Sequence, residues 1–77
     1  MHLHMEPIDV SAQKNKPTAF CWRGHLYEVE QILETWSARE QWWGKDDRRE
    51  YYLLITTQGV MEIFSSTQGW MLSRVYD

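Results

Sequence analysis

Thr-Gln-Gly occurs twice in this chain, at 57–59 and 67–69, and each copy separates two runs of strand-forming residues. Tyr51 to Thr57 (YYLLITT) is β-branched and aromatic, Val60 to Phe64 (VMEIF) follows the first turn, and Trp70 to Tyr76 (WMLSRVY) alternates after the second. Strand signals at a ten-residue spacing, punctuated by Gly-containing turns, specify successive antiparallel hairpins. The repeat is too short for a solenoid. Three antiparallel strands therefore occupy the C-terminal end.

The chain has 77 residues, enough for one domain and little more. A chain this short buries little surface, so its core must come from large side chains. Five tryptophans, four tyrosines and two phenylalanines supply them. With 43% hydrophobic and 25% charged residues the composition is that of a globular protein rather than a disordered one.

Upstream, Glu6 to Val10 alternates polar and apolar residues, with Pro7 restricting it to a strand start or a sheet edge. Residues 1–5 are expected to be a disordered terminus, leaving 6–77 as a single β domain. Ser11 to Pro17 (SAQKNKP) has the composition of an exposed connection. Thr18 to Arg23 then places Phe20 and Trp22 on one face, and Gly24-His25 signals a hairpin.

Leu26 to Trp36 (LYEVEQILETW) fits two periods. At period 3.6, Leu26, Val29, Ile32, Leu33 and Trp36 form a helical stripe. At period two, a bulge near Glu30-Gln31 brings Ile32 inward, followed by Glu34 and Trp36. Gly24 stands where a helix would want a capping Ser, Thr, Asp or Asn, and a hairpin partner lies directly upstream. The expectation is a long bulged strand; the alternative is an α+β fold with a helix at about 26–36. Ser37 to Glu50 is expected to be a long loop or a wide hairpin end. The fold class that follows is all-β: an antiparallel sheet of five or six strands, curled on itself as a small SH3-like barrel to cover its apolar face.

The functional signals are fewer. Cys21 is the sole cysteine, which excludes an internal disulfide and a multi-thiolate zinc site. The opening MHLHMEPIDV lacks the features of a signal peptide, and no apolar run reaches the roughly 20 residues of a membrane helix. A cytoplasmic protein without membrane partners is expected. His2 and His4 could share a face as metal ligands do, but a terminal pair without further ligands is better read as a fraying end. Cys21 and His25 could be brought together by the Gly24 hairpin as a thiolate nucleophile and its base. Alternation with Phe20 and Trp22 instead turns Cys21 to the other face, as a half-buried passive thiol. The carboxylates have no spacing suited to acid–base work and there is no phosphate loop. A non-enzymatic protein with no cofactor and no metal is expected.

The cluster Arg39, Trp42, Trp43, Lys45, Arg48 and Arg49 is the candidate binding site. Tryptophan and arginine dominate protein-docking hot spots, and rings interleaved with guanidinium groups also serve single-stranded nucleic acid. Glu40, Asp46 and Asp47 neutralise much of the local charge, and the whole chain carries −3, from 8 basic and 11 acidic residues. A field that gathers nucleic acid over the whole surface is thereby excluded. A protein partner is expected first, a single-stranded nucleic acid second, and the bland reading is a loop anchored by one tryptophan with a solvated charged face.

The series Phe20-x-Trp22-Arg23-Gly24-x-x-Tyr27-x-Val29-x-x-Ile32-Leu33-x-x-Trp36, then Trp42-Trp43, Arg49-x-Tyr51-Tyr52, Gly59, Glu62-Ile63-Phe64, and the ending Trp70-x-Leu72-x-Arg74-Val75-Tyr76-Asp77, resembles a bacterial family of small domains. Those domains are associated with Y-family DNA polymerase-like, ImuB-type mutagenesis proteins. The likeness covers roughly residues 6–77, and its motifs carry no catalytic group. The catalytic body of the polymerase-like proteins has no counterpart in this chain. The resemblance implies an accessory role in DNA repair.

Overall fold

The computed structural model describes residues 2–42 and 45–76. Seven strands follow one another: β1 (His2–Pro7), β2 (Asp9–Gln13), β3 (Lys16–Trp22), β4 (His25–Trp42), β5 (Lys45–Thr56), β6 (Gly59–Ser66) and β7 (Gly69–Tyr76). They form one antiparallel sheet in the order β1-β7-β6-β5-β4-β3-β2, curled into a half-barrel. Among the described residues there is no helix, and hence none able to cross a membrane. The α+β alternative with a helix at 26–36 is overturned, because that segment lies wholly within β4.

The C-terminal meander follows the turn signals. In the first turn the Thr56 hydroxyl donates to Gly59 O at 2.8 Å and accepts from the Gln58 N–H at 3.1 Å. In the second, Ser66 repeats the pattern with Gly69 O at 3.3 Å and the Gln68 N–H at 3.1 Å. The repeated unit is thus a hydroxyl residue followed by Thr-Gln-Gly. Each glycine supplies a positive φ, 119° at Gly59 and 109° at Gly69, which side chains resist.

The strand count exceeds the five or six expected because the N-terminal part holds two strands where the sequence suggests one. Residues 2–7, including most of the stretch 1–5 expected to be disordered, pair with β7 as a strand. Ser11 to Pro17 is a hairpin rather than an open connection: β2 pairs β3 across Lys14-Asn15, whose φ values are 51° and 65°. Asn tolerates that backbone and Lys does not favour it, so the turn lacks the glycine that would announce it. Tyr52 Oη donates to Asn15 O at 3.2 Å and ties this turn to β5.

β4 changes partner along its length. From His25 to Glu28 it pairs with β3, and from Val29 to Trp42 with β5. Register shifts fall between Val29 and Gln31 and between Ile32 and Glu34. The first is the bulge expected near Glu30; the second, at Leu33, turns Trp36 to the face opposite Ile32 instead of inward with it. Bulges bend a strand and increase its twist, which is how an 18-residue strand curls the sheet.

The curl brings the two ends of the strand order together. β1 and β2 belong to opposite edges, yet only Ile8 separates them. Ile8 is buried in the core with Phe20, Leu54, Met61, Ile63 and Leu72, and its N–H donates to Trp70 O at 3.2 Å. Phe20 is stacked on Tyr27 at 5.2 Å, and Trp22 packs against the same core. Beside this joint, Glu6 of β1 accepts from Trp22 Nε1 at 3.3 Å and from Arg23 Nη2 at 2.8 Å, with His4 Nδ1 at 3.2 Å.

Two consequences are measurable. Ile8→Ala removes the side chain that seats both edges and should cost about 2–4 kcal/mol in urea unfolding. The hydrogen bond from Arg23, opposed by some burial and aided by Trp22, holds the Glu6 carboxyl below its ordinary pKa. A depressed folded-state pKa stabilises above the unfolded value, about 4.3, and that contribution is lost as pH falls through the folded value. Glu6→Gln should therefore be less stable than the parent at pH 7, with the gap closing below about pH 4.

Candidate functional site

Residues on paired strands that stand directly opposite point to the same side of a sheet. One row, Tyr52, Ile63 and Leu72, faces the core. The next, Trp36, Tyr51, Phe64 and Met71, faces outward. Trp36 and Tyr51 are stacked at 5.2 Å with their planes 3° apart, and Tyr51 leans on Phe64 at 5.1 Å. Phe64 is buried even on this outer side, because Tyr51 flanks it and the Arg49 guanidinium lies 4.6 Å above its ring centroid. Trp36 ends the row and is 37% exposed.

Residues 38–49 form a two-stranded arm, since β6 begins to pair with β5 only at Glu50. The segment expected to be a long loop or a wide hairpin end is a hairpin, paired from Ser37–Glu50 to Trp42–Lys45. Period-two register then sorts the candidate residues. Arg39 and Arg48 stand opposite each other on one face, and both are exposed. Like charges directly opposite repel; Asp46 at 4.0 Å from Arg39 and Glu50 at 3.3 Å from Arg48 offset this. Arg49 stands on the other face, half-buried, its Nε donating to Asp47 Oδ2 at 3.0 Å and its Nη1 to Tyr51 Oη at 3.4 Å. The hydrogen bond to Tyr51 does most to raise its pKa above the ordinary arginine value, so it stays charged.

The structure therefore splits the predicted cluster. Arg39 and Arg48 are surface cations, and Arg49 is a packing group for the outer aromatic row. Trp42 and Lys45 are backbone partners at the end of the arm. Their side chains, and Trp43 altogether, lie outside the described residues.

Other candidates are also placed. Cys21 is exposed rather than half-buried, on the face opposite Phe20 and Trp22. His25 pairs with Trp22, on the side away from that thiol. His4 rests edge-on against Trp22 at 4.9 Å. Among the described residues no group of three or more potential metal ligands occurs.

Two features escape sequence reading. The first is the outer edge of β4 beyond Glu28, which has no strand beside it among the described residues. From Glu34 to Trp42 its pairing with β5 is regular, so the free edge is uninterrupted by bulges and runs on the order of 30 Å. The second is an open groove of about 250 Å³ beside the arm, lined by Trp36, Glu40, Tyr51, Glu62 and Arg74. Glu62 is nearly buried there, with Arg74 Nε at 4.0 Å and the Tyr76 hydroxyl donating at 3.5 Å. Exposure of Leu33 and Trp36 on the same strand gives the edge two large apolar side chains in solvent.

The division among the three arginines is testable by substitution. Arg49→Ala should cost about 1–2 kcal/mol through lost packing on Phe64 and lost hydrogen bonds. Arg39→Ala and Arg48→Ala should each change stability by less than about 0.5 kcal/mol in the same urea titration.

No curated protein and no solved structure matches the chain. A family match covers residues 2–77, nearly all of it, including both the arm and the outer aromatic row. The chain belongs to the family described as Domain of unknown function (DUF6504).

Proposed function

We propose that this domain is a non-enzymatic docking module that binds another protein through β4 and the arm. The observation that supports this reading is the regular edge of β4, unpaired among the described residues, with Trp36 exposed on it. A free strand edge offers a row of backbone donors and acceptors, and an extended segment of a partner can satisfy them as an added strand. Tryptophan is the residue that most often anchors such contacts. The resemblance to domains associated with ImuB-type, polymerase-like repair proteins supplies the context, an accessory role in translesion DNA repair inside the cell.

A second reading, weak binding of single-stranded nucleic acid along the arm, draws on Arg39 and Arg48, exposed and directly opposite each other. Against it, Asp46 and Glu50 sit beside them and leave that face without net charge.

Purified ImuB-type protein from the same genome, titrated into the isotope-labelled domain, separates the two readings. Docking predicts a dissociation constant on the order of 10 μM or tighter, with amide signals of 34–42 shifting most. Absence of binding, or shifts confined to other strands, would overturn it. A single-stranded oligonucleotide that quenches tryptophan emission, and loses affinity steeply with salt, would favour the second reading.

A further inference from the structure

We infer that the free edge of β4 accepts an extended basic segment of a partner, with a lysine or arginine of that segment lying on the open face of Trp36. This rests on the docking reading above and adds the chemistry of the partner.

Three observations carry it. The first is the stack itself. Tyr51 covers the indole face turned toward β5, at 5.2 Å and almost parallel. Among the described residues β4 is the last strand on the other side at this level, so the second indole face meets no neighbouring strand there. An added strand would continue the row Phe64, Tyr51, Trp36 by one residue. Trp presents the strongest aromatic face for a cation.

The second is charge. On the outward side of the regular stretch, β4 presents Glu34, Trp36, Ala38 and Glu40, with no cation among them. A residue opposite Trp36 has Glu34 and Ala38 as its diagonal neighbours, within reach of a long side chain. Across Val29–Trp42 there are three glutamates, Glu30, Glu34 and Glu40, against Arg39, a net charge of −2. Arg39 faces the other side of the ribbon, so the matching segment alternates, basic toward Trp36 and uncharged or acidic toward Arg39. Lys14 and Lys16 line the open groove of about 520 Å³ at the Ile32 end, which confines a basic side chain to Trp36 and beyond.

The third is the exclusion of a second copy. Two β4 edges related by a two-fold axis keep their faces matched only when residues of equal parity pair. Centring on Ser37 sets Glu34 against Glu40, and because both glutamates of the regular stretch are even-numbered and Arg39 is odd, no such centre sets Arg39 opposite a glutamate. Repulsion between like edges favours a partner of opposite sign.

The test uses the whole domain and two synthetic peptides, acetyl-Thr-Val-Thr-Arg-Thr-Val-Thr-amide and the same peptide with glutamate at its centre. The arginine peptide should bind about tenfold tighter, slow hydrogen exchange at alternate amides between 35 and 41, and shift Trp36 emission. Trp36→Ala should erase most of that preference. The double variant Glu34→Lys, Glu40→Lys changes only exposed positions and should reverse it, which keeps the test meaningful if Trp36→Ala folds poorly. Equal binding of both peptides on β4 would overturn the basic chemistry while leaving the docking edge standing. No binding of either peptide would overturn the inference, and the docking reading would still be decided separately by the ImuB-type protein. A concentration-dependent dimer with 35–41 already protected would overturn it in favour of self-pairing.

Discussion

The change of partner along β4 is the constraint on which the rest of this structure depends. A strand hydrogen-bonded to β3 at one end and to β5 at the other must bend between them, and the irregularities at Glu30 and Leu33 provide the bend. The bend curls the sheet far enough for Ile8 to join its two edges inside the core. It also draws β3 away from the distal half of β4. Closure of the core and exposure of a strand edge are two results of one distortion.

A curled sheet this small has two unequal faces. The inner one is filled by Phe20, Leu54, Met61, Ile63 and Leu72, with Trp22, Tyr27 and Tyr52 packed around them. The outer one is covered by its own side chains, Arg49 over Phe64 and Tyr51 between Phe64 and Trp36. One strain is left on the arm: Glu40 and Asp47 stand opposite each other, and Asp47 Oδ1 is buried without a hydrogen-bond partner among the described residues. Arg49 binds only the other Asp47 oxygen. Among the described residues the well-packed Arg49 guanidinium ties the arm to the body, while the face that carries Arg39 and Arg48 is solvated.

Much of the fold is legible in the chain. The two Thr-Gln-Gly turns, the strands around them and the bulged character of 26–36 all follow from local pattern and turn chemistry. β2 is less legible because its turn, Lys14-Asn15, has no glycine, and β1 because Pro7 and the terminal residues 1–5 look like a frayed end. The arm reads as a long loop or a wide hairpin end, and the second is what forms; charge density over Ser37 to Glu50 hides the alternation of the paired ribbon. The candidate site is half legible. Composition picks out Arg39, Arg48 and Arg49, but only register separates the two surface cations from the one that packs on Phe64. Trp36 is read as core, since nothing local announces the second bulge that turns it outward.

The sequence by itself determined the all-β class and the C-terminal hairpins, because turn geometry and alternation are local properties of neighbouring residues. The aromatic core it suggests is instead mainly aliphatic, with Ile8, Leu54, Met61, Ile63 and Leu72 around Phe20 and the indoles at its margin. Tertiary structure alone decided which strands form the edges, which face each indole occupies and where backbone groups are left unpaired. Those depend on long-range register, and a one-residue slip at a bulge exchanges inside for outside in everything that follows it.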